Sequence, residues 1–260
     1  MKCKICGHES AYVFDALVLR KYEVAYFQCG HCGFVQTEDP YWLEEAYRDP
    51  INLTDTGIIR RNVLGAKSVA AILYFLFDTK GRYLDYAGGF GLFTRLMRDY
   101  GFDFYTCDPH TPNLLARGFD FQGPGNVELV TNFECFEHFR DPIPEIEKML
   151  AISDNIFFST HFVPDPLPKP WEWWYYAPEH GQHIALYSSK SMDFIAHKYG
   201  LRVYSLKGYH LLTPRKIPPL YFQLLAGAGR YGLGSMIKSV MKSKIWEDNH
   251  LLSLRHGRSI

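Results

Sequence analysis

Four cysteines near the start of the chain have the spacing of metal ligands. Cys3 and Cys6 form one C-x-x-C pair, Cys29 and Cys32 form a second, and 22 residues separate the two pairs. Four thiolates at the tips of two such turns suit a closed tetrahedral zinc site, which leaves no open position for catalysis. A redox dithiol and buried free cysteines are the alternatives, but two pairs at this spacing favour zinc. We therefore predict a structural zinc site, whose binding energy also folds a module this short.

The predicted zinc module covers residues 1–38. Gly7 and Gly30 stand beside the two cysteine pairs and give the turns conformational freedom. Residues 12–14 and 26–28, which are aromatic or apolar except for Gln28, read as the strands of a small zinc ribbon.

A second region with chemical potential is a glycine-rich turn between an apolar strand and a helix. Residues 83–87 read as the strand, 88–91 as the turn and 92–100 as the helix, and a second strand at 104–107 ends at Asp108. This order of elements is the skeleton of a nucleotide-binding βαβ unit, although the G-x-G-x-x-G dinucleotide pattern is not matched. Glycines let the backbone approach a ligand closely, and an acid at the strand end accepts hydrogen bonds from ribose hydroxyls.

The run from Asp85 to Gly91 resembles the first motif of class I S-adenosylmethionine (SAM)-dependent methyltransferases. That motif is an acid followed by G-x-G-x-G, and here Ala87 replaces the first glycine. Downstream, residues 132–142 look like the E-x-x-E-H-x-x-D-P signature of a large methyltransferase subfamily. The resemblance covers roughly residues 80–213 and implies a Rossmann-like fold that binds SAM across the carboxyl ends of its strands.

The same resemblance implies which residues hold the cofactor. Those expected around the methionine part are Asp85, Ala87, Gly89, Gly91 and Asn132, with Asp108 at the ribose and Asp120 at the adenine amine.

Two of the eleven histidines are candidate general bases, because an oxygen or carbon acceptor of high pKa needs one. Residues 178–188 resemble the E-H-x-x-Y-x-S segment of zinc-ribbon sugar C-methyltransferases, in which a histidine five residues before the serine is the base. His183 matches that histidine relative to Ser188, whereas Gln182 stands where that group has glutamate. The group also has a histidine just after strand four, which His138 matches.

A further resemblance, to ubiquinone-pathway O-methyltransferases, implies a different role for the cluster around His138. In that family an E-x-x-E-H cluster holds a magnesium ion, and Glu134 and Glu137 supply the hard oxygen ligands that magnesium prefers. The alternative is that Glu137 and His138 only cap helix and loop groups near the cofactor.

Residues 161–187 form a long predicted insertion, where this fold places acceptor specificity. The aromatic run at 171–176, bordered by Glu172 and Glu179, suits a sugar ring through stacking and hydroxyl hydrogen bonds. A lid packed on the core is the alternative.

Overall charge hides an asymmetry. Residues 1–200 carry 18 basic and 26 acidic side chains, and residues 201–260 carry 10 basic and 2 acidic ones. The basic amphipathic tail therefore suits an anionic membrane surface or a lipid-linked glycan, or else the acidic remainder of the chain or a partner. The longest apolar run, residues 69–77, falls short of the roughly 18 residues of a membrane span. The chain opens without the apolar stretch of a secretory signal, so we expect a cytoplasmic protein with reduced thiols.

Taken together, the sequence predicts an α/β protein with four segments. They are the zinc ribbon (1–38), a helical linker (39–80), a Rossmann-like domain with a mostly parallel seven-stranded sheet (81–213), and a basic helical tail (214–260). We expect a SAM-dependent methyltransferase acting on a small molecule, namely a sugar, a nucleotide-sugar or a glycan, as in natural-product and polysaccharide pathways.

Two other functions stay open at this point. One is an RNA methyltransferase that reads RNA through its ribbon, against which residues 1–50 carry 5 basic and 8 acidic side chains. The other is a non-catalytic binding protein that keeps the cofactor fold.

Overall fold

The computed structural model describes residues 1–48, 51, 53, 55–123, 125–255 and 257. In these residues the strands are β1 (Ser10–Val18), β2 (Tyr22–Cys29), β3 (Val35–Thr37), β4 (Arg82–Tyr86), β5 (Asp103–Cys107), β6 (Leu129–Asn132), β7 (Ile156–Ser159), β8 (Ala185–Leu186), β9 (Arg202–Leu206) and β10 (Tyr209–Thr213). The α-helices are α1 (Leu43–Ala46), α2 (Ile58–Leu76), α3 (Leu92–Asp99), α4 (Pro142–Leu150), α5 (Ser189–Lys198), α6 (Pro219–Ala228), α7 (Gly234–Val240) and α8 (Ile245–Arg255). Within the described ranges, none of the helices has both the length and the apolar character of a membrane span.

The chain divides into two compact units. The first comprises Met1–Asp55 and Phe133–Lys216, and the second comprises Thr56–Asn132 and Ile217–Ile260. The sequence-based segment boundaries at residues 38, 80 and 213 rest on changes of composition rather than on contacts, and they stay a prediction.

The first unit begins with a four-stranded antiparallel sheet in the order β1-β2-β3-β8. The strands predicted at 12–14 and 26–28 lie inside β1 and β2, which are longer than predicted. The last strand of this sheet comes from the 161–187 insertion, because Leu186 pairs with Val35. Large buried side chains fill the core beneath the sheet, among them Tyr26, Trp42, Tyr175 and Tyr176.

The same unit contains three more strands in the antiparallel order β7-β10-β9. The helix α5 begins with a reciprocal cap, in which the Ser191 amide donates to Ser188 Oγ at 3.0 Å and the Ser188 amide donates to Ser191 Oγ at 2.9 Å. Such a capping box satisfies two amides that a helix start otherwise leaves unpaired, so the chain enters α5 at a fixed residue.

The second unit contains the predicted βαβ skeleton as three parallel strands in the order β5-β4-β6. Residues 108–126 form no strand in their described part, apart from a single bridge between Thr106 and Asp120, because prolines and glycines interrupt them. Within the described residues, six strands therefore correspond to the predicted Rossmann-like sheet. They are β5, β4 and β6 in the second unit and β7, β10 and β9 in the first. The expected mostly parallel set of seven is not confirmed, since the pairs of β10 with β7 and with β9 are antiparallel.

The carboxyl-terminal helices of the second unit pack on α2. The buried face of α2 is made of small and aliphatic residues between Gly65 and Leu73, and Ser68 Oγ donates to the Ala226 carbonyl at 2.9 Å. A Cβ on Gly229 would lie 2.8 Å from the Lys67 carbonyl oxygen, so only glycine allows this approach. The last residues of the predicted tail, 258–260, lie outside the described part of the chain.

A buried ion pair fastens α8 to α3. Arg98 Nη2 and Nε donate to the two carboxylate oxygens of Asp248 at 2.7 and 2.8 Å, and Arg98 Nη1 donates to Asp103 at 2.7 Å. Both side chains of the Arg98–Asp248 pair are 3% exposed. A bidentate pair of this kind is strong in place, but losing one partner leaves an uncompensated buried charge.

We predict that Asp248→Asn lowers the free energy of unfolding by about 3 kcal/mol, because Arg98 keeps only Asp103 as a charged partner. The neighbouring change Glu247→Gln is the matched control, since Glu247 is exposed and pairs with Lys244 at 3.1 Å. It is expected to cost at most about 0.5 kcal/mol. Denaturant titration of both variants checks this, and equal losses would show that the buried pair does not fasten α8.

Candidate active site

The four cysteines predicted as metal ligands converge in the first unit. Their sulfur atoms all lie within 4.8 Å of one another, with Cys3 and Cys32 at 3.6 Å and Cys6 and Cys29 at 3.4 Å. All six cysteines of the chain are free thiols. Zinc–sulfur bonds of about 2.3 Å in a tetrahedron place sulfurs roughly 3.8 Å apart, so the donor set has the size and chemistry for zinc.

Two tight turns present these sulfurs. The Gly7 amide donates to the Cys3 carbonyl at 3.0 Å, and the Gly33 amide donates to the Cys29 carbonyl at 2.8 Å. Both glycines have left-handed backbone, with φ of +74° and +71°. The expectation for Gly7 therefore holds. The second turn uses Gly33 rather than Gly30, because the left-handed residue comes after the second cysteine of each pair.

In the second unit, the acid of the glycine motif is buried under its turn. Asp85 is 2% exposed, and its Oδ1 accepts from Thr131 Oγ1 at 2.9 Å. Burial raises the pKa of Asp85 to about 7, and the hydrogen bonds from Thr131 and Thr94 oppose this rise. A Cβ on Gly88 would lie 2.5 Å from Asp85 Oδ2, so the turn passes the carboxylate only as glycine.

The turn itself runs through three left-handed residues. Ala87, Gly89 and Gly91 have φ of 56°, 55° and 81°. Ala87 thus adopts the backbone conformation that suits the glycine of the resembling motif, and its amide still donates to the Cys107 carbonyl at 2.8 Å. At Gly89 nothing lies within 4 Å of where a Cβ would stand, which leaves the backbone open to a ligand.

Asp108 connects the end of β5 to this turn. Its Oδ2 accepts from the Gly89 amide at 2.9 Å, and its Oδ1 accepts from the amides of His110 and Thr111 at 2.9 and 2.8 Å. Three amide donors fix the carboxylate at the mouth of the turn. Oδ1 uses both of its lone pairs in this way, whereas Oδ2 keeps one lone pair for a further donor. The acid therefore lies where the sequence predicts it, in contact with Gly89.

The two remaining predicted cofactor residues lie in the same unit. Asp120 Oδ1 accepts from Asn113 Nδ2 at 3.0 Å, and a Cβ on Gly91 would strike Asn113 Oδ1. Asn113, which the sequence analysis missed, therefore packs against Gly91 and donates a hydrogen bond to Asp120. Asn132 donates from Nδ2 to the Tyr86 carbonyl at 2.9 Å, and its buried Oδ1 has no hydrogen-bond partner among the described residues.

The two candidate bases lie together in the first unit. The ring centroids of His138 and His183 are 5.2 Å apart, and the Tyr175 ring is 4.7 Å from that of His183. His183 Nδ1 lies 2.6 Å from the Tyr175 carbonyl oxygen. A carbonyl only accepts, so Nδ1 carries the proton and Nε2 keeps a lone pair.

Burial keeps both imidazoles neutral near pH 7. It lowers the pKa of His183, and the hydrogen bond to the Tyr175 carbonyl opposes this only in part. The pKa of His138 lies well below its ordinary value through burial and then through the charges of His183 and His180. A neutral imidazole with a free nitrogen is the form that accepts a proton.

Glu137 joins this pair and is a residue whose role the sequence analysis left undecided. It is fully buried, and neither carboxylate oxygen makes a hydrogen bond of ordinary geometry within the described residues. Burial, and then repulsion from Glu134, raises the pKa of Glu137 to about 8, although the nearby hydroxyls of Tyr175 and Thr160 act in the opposite direction. The E-x-x-E-H pattern singles out Glu137, but only the fold shows that it is buried.

The expected magnesium set is not the one that comes together. Glu134 has left-handed backbone, with φ of 49°, and its Oε1 accepts from Ser159 Oγ at 2.6 Å. The ligand atoms within 4.8 Å of one another belong instead to Glu137, His138 and His183. Two imidazoles and one carboxylate do not suit magnesium, which prefers oxygen ligands.

The aromatic run of the insertion has two different roles. Tyr175 and Tyr176 are core residues, as the lid alternative expects. Trp171 and Trp174 are 80% and 70% exposed, and the Trp174 ring lies 5.2 Å from that of His161. Gln182, which stands where the resembling group has glutamate, donates to the Ala46 carbonyl at 2.7 Å and so contacts the predicted linker.

A family model described as a methyltransferase domain matches residues 60–206 of the chain. The chain belongs to this methyltransferase family. Among curated proteins, none is similar in sequence at a significant level.

Several solved structures resemble the methyltransferase at low sequence identity. The plantazolicin methyltransferase BpumL, solved with SAH, is 11% identical with a TM-score of 0.50, over 78% of this chain and 91% of BpumL. Magnesium protoporphyrin IX methyltransferase from Synechocystis PCC 6803, also solved with SAH, is 16% identical with a TM-score of 0.43, over 65% and 90% of the two chains. TnmH is 15% identical with a TM-score of 0.47, over 66% of this chain and 60% of TnmH. The likeness to BpumL supports the fold.

We predict that Ala87→Gly stabilises the methyltransferase by about 0.5–1 kcal/mol. Left-handed backbone costs a residue with a side chain roughly 1–2 kcal/mol. Replacement by glycine removes this cost, but the greater conformational entropy of glycine in the unfolded chain offsets part of the stabilisation. Ala151→Gly is the control, because Ala151 is exposed with right-handed backbone, at φ −67°, and should lose stability. Thermal unfolding compares the two, and a loss in both variants would contradict strain at Ala87.

Proposed function

We propose that this chain transfers the methyl group of SAM to a hydroxyl-bearing small molecule, with His183 as the general base. Sugars, nucleotide-sugars and glycans are the acceptors that fit. The observation that carries the proposal is the neutral His183 ring, whose Nδ1 is held by the Tyr175 carbonyl at 2.6 Å while Nε2 keeps its lone pair.

The residues of the second unit fit SAM. The backbone at Gly89 is open to a ligand, and Asp108 lies beside it with one lone pair left on Oδ2 for a ribose hydroxyl. The buried Oδ1 of Asn132 is an acceptor that a ligand amine satisfies. SAM supplies a methyl group on a sulfonium. The plantazolicin methyltransferase BpumL, which was solved with SAH, supports this assignment.

The residues of the first unit fit an acceptor rich in hydroxyl groups. A buried carboxyl group whose oxygens make no hydrogen bond of ordinary geometry destabilises the folded protein. A hydroxyl group of the methyl acceptor beside Glu137 would supply the missing hydrogen bond. The free lone pair of His183 Nε2 would take the proton of an acceptor hydroxyl bound in this unit. Trp171 and Trp174 offer exposed aromatic faces, on which a sugar ring stacks.

We also propose that the four cysteines bind one structural zinc ion. Their mutual distances fit a tetrahedral thiolate site, and the Ile5 amide donates to Cys3 Sγ at 3.4 Å, as amides do toward a metal-bound thiolate. Two of the three lysines in residues 1–38 are engaged elsewhere: Lys4 contacts the Arg140 carbonyl, and Lys21 pairs with Glu45 at 2.8 Å. These pairings weaken the RNA alternative, because phosphate contacts need free basic side chains.

We predict that His183→Asn lowers turnover at least about tenfold, toward the 10²–10⁴-fold range of a lost general base. The asparagine Nδ2 replaces the donor to the Tyr175 carbonyl, so the fold and SAM affinity stay unchanged. SAH release measures turnover over a panel of nucleotide-sugars, glycans and RNA, and calorimetry measures SAM binding. The exposed His197, changed to Gln, is the control.

The outcomes separate the alternatives. A stable His183→Asn variant with wild-type turnover would leave His183 without a catalytic role. Wild-type protein that binds no SAM would favour the non-catalytic reading, and methylation of RNA alone would favour the RNA enzyme.

We predict one zinc ion per chain, lost in Cys29→Ser together with the antiparallel pairing of β2 and β3. Elemental analysis measures zinc, and circular dichroism follows the strands. Cys107→Ser is the control, because Cys107 lies outside the cluster and should keep the metal. Wild-type protein without zinc, or with a disulfide between Cys3 and Cys29, would contradict the site.

A further inference from the structure

The segment from α6 to the start of α8 carries basic residues and no acidic ones. Between Lys216 and Trp246 the sequence contains five lysine and arginine residues and no aspartate or glutamate. The same segment exposes large apolar side chains to solvent. Six of them, each between 59% and 83% exposed, are Leu220, Leu224, Tyr231, Met236, Val240 and Trp246.

Four of these side chains form two pairs at helical spacing. Leu220 and Leu224 are one turn apart on α6, and Met236 and Val240 are one turn apart on α7. Between the two helices the chain kinks, because Tyr231 (φ −99°, ψ 15°) and Gly232 (φ 145°) do not have helical backbone. We call the two pairs and Tyr231 at the kink the exposed apolar stripe of the segment.

The opposite side of the segment is already used. Phe222, Leu225 and Ile237 are buried, and Gly229 and Gly234 bring the segment against the backbone of α2 at Lys67. Because this side fixes the segment to its unit, the exposed stripe is not needed to hold the helices in place.

Charge decides what the exposed stripe fits. Lys216, Lys238 and Lys242 are exposed in or next to the same segment, and Lys238 lies 5.2 Å from the Tyr100 ring without an acidic partner among the described residues. Two copies of this face would bring like charges together, which disfavours self-association. Lysines with tryptophan and tyrosine on a helix that lies flat are suited to the interface of an anionic bilayer.

We propose that this basic apolar stripe binds the surface of anionic lipid bilayers, with Tyr231 and Trp246 in the headgroup region. The protein then lies on the bilayer, since none of its described helices spans one. This inference does not depend on the identity of the methyl acceptor.

Vesicle sedimentation tests the proposal with the full chain. We expect binding to phosphatidylcholine vesicles that contain about 30 mol% phosphatidylglycerol, and little binding to phosphatidylcholine alone. Salt at about 0.5 M should release the protein, because the Debye length then falls well below 10 Å. The double variant Lys238→Glu/Lys242→Glu should bind at least about 20-fold more weakly, at about fivefold per charge.

A second pair of variants separates apolar insertion from charge. Tyr231→Ser with Trp246→Ser should weaken binding at least about fivefold without changing the melting temperature, because both side chains are exposed. The matched controls are Leu17→Ser and Lys190→Glu, which change an exposed leucine and an exposed lysine of the other unit and should bind like wild type.

Three results would overturn the proposal. One is wild-type protein that stays in the supernatant with both kinds of vesicle, and another is binding that the stripe variants leave unchanged. The third is a dimer in gel filtration that Tyr231→Ser/Trp246→Ser dissociates without any vesicle binding, which would assign the stripe to a second copy of the chain.

Discussion

The carboxylate of Asp85 is buried at the carboxyl end of β4, and the neighbouring elements are arranged around it. Thr131 on β6 and Thr94 on α3 supply its hydrogen-bond donors, at 2.9 and 3.5 Å. The turn passes it only because Gly88 has no side chain. Once the turn is fixed in this way, the Gly89 amide faces Asp108. The buried carboxylate thus ties β6, α3 and the glycine turn together next to the open backbone of Gly89.

In the first unit, the cysteine turns and the segment that carries His183 are held together. Ser188 Oγ donates to the Cys32 carbonyl at 2.6 Å, and a Cβ on Gly33 would meet that same Oγ at 2.9 Å. The Thr37 amide also donates to the Ile184 carbonyl at 3.2 Å, next to the base. The cysteine turns therefore position the loop of the candidate base. The zinc ion that we propose for these turns would act on the proposed reaction only through the position of this loop.

Local patterns in the sequence predict local structure well. The glycine turn, the strand ends at Tyr86 and Cys107, and the paired cysteines all depend on neighbours a few residues away. Contacts between distant residues leave no such trace. Arg98 and Asp248 are 150 residues apart, and the two-residue strand β8 gains its register only by pairing with β3. The tautomer of His183 depends on a hydrogen bond to a backbone carbonyl. Every residue carries such a carbonyl, so the sequence cannot predict the tautomer.

The cluster of Glu137, His138 and His183 opposes folding over the physiological pH range. The pKa of Glu137 is raised from its ordinary value near 4.5 to about 8. As the pH rises above 4.5 the unfolded chain ionises first, so the burial of Glu137 lowers the stability of the folded chain. The pKa values of the two histidines are lowered, so they cost stability as pH falls below about 6.5, where the unfolded chain binds protons first. Near neutral pH the carboxyl group carries most of this cost, and a well-packed apolar trio would avoid it.

A ligand that hydrogen-bonds to Glu137 and to the free nitrogen of His183 would supply the missing interactions. The burial that destabilises the free protein would then strengthen each of those hydrogen bonds. We therefore interpret the stability lost by burying this cluster as preparation of the proposed acceptor site.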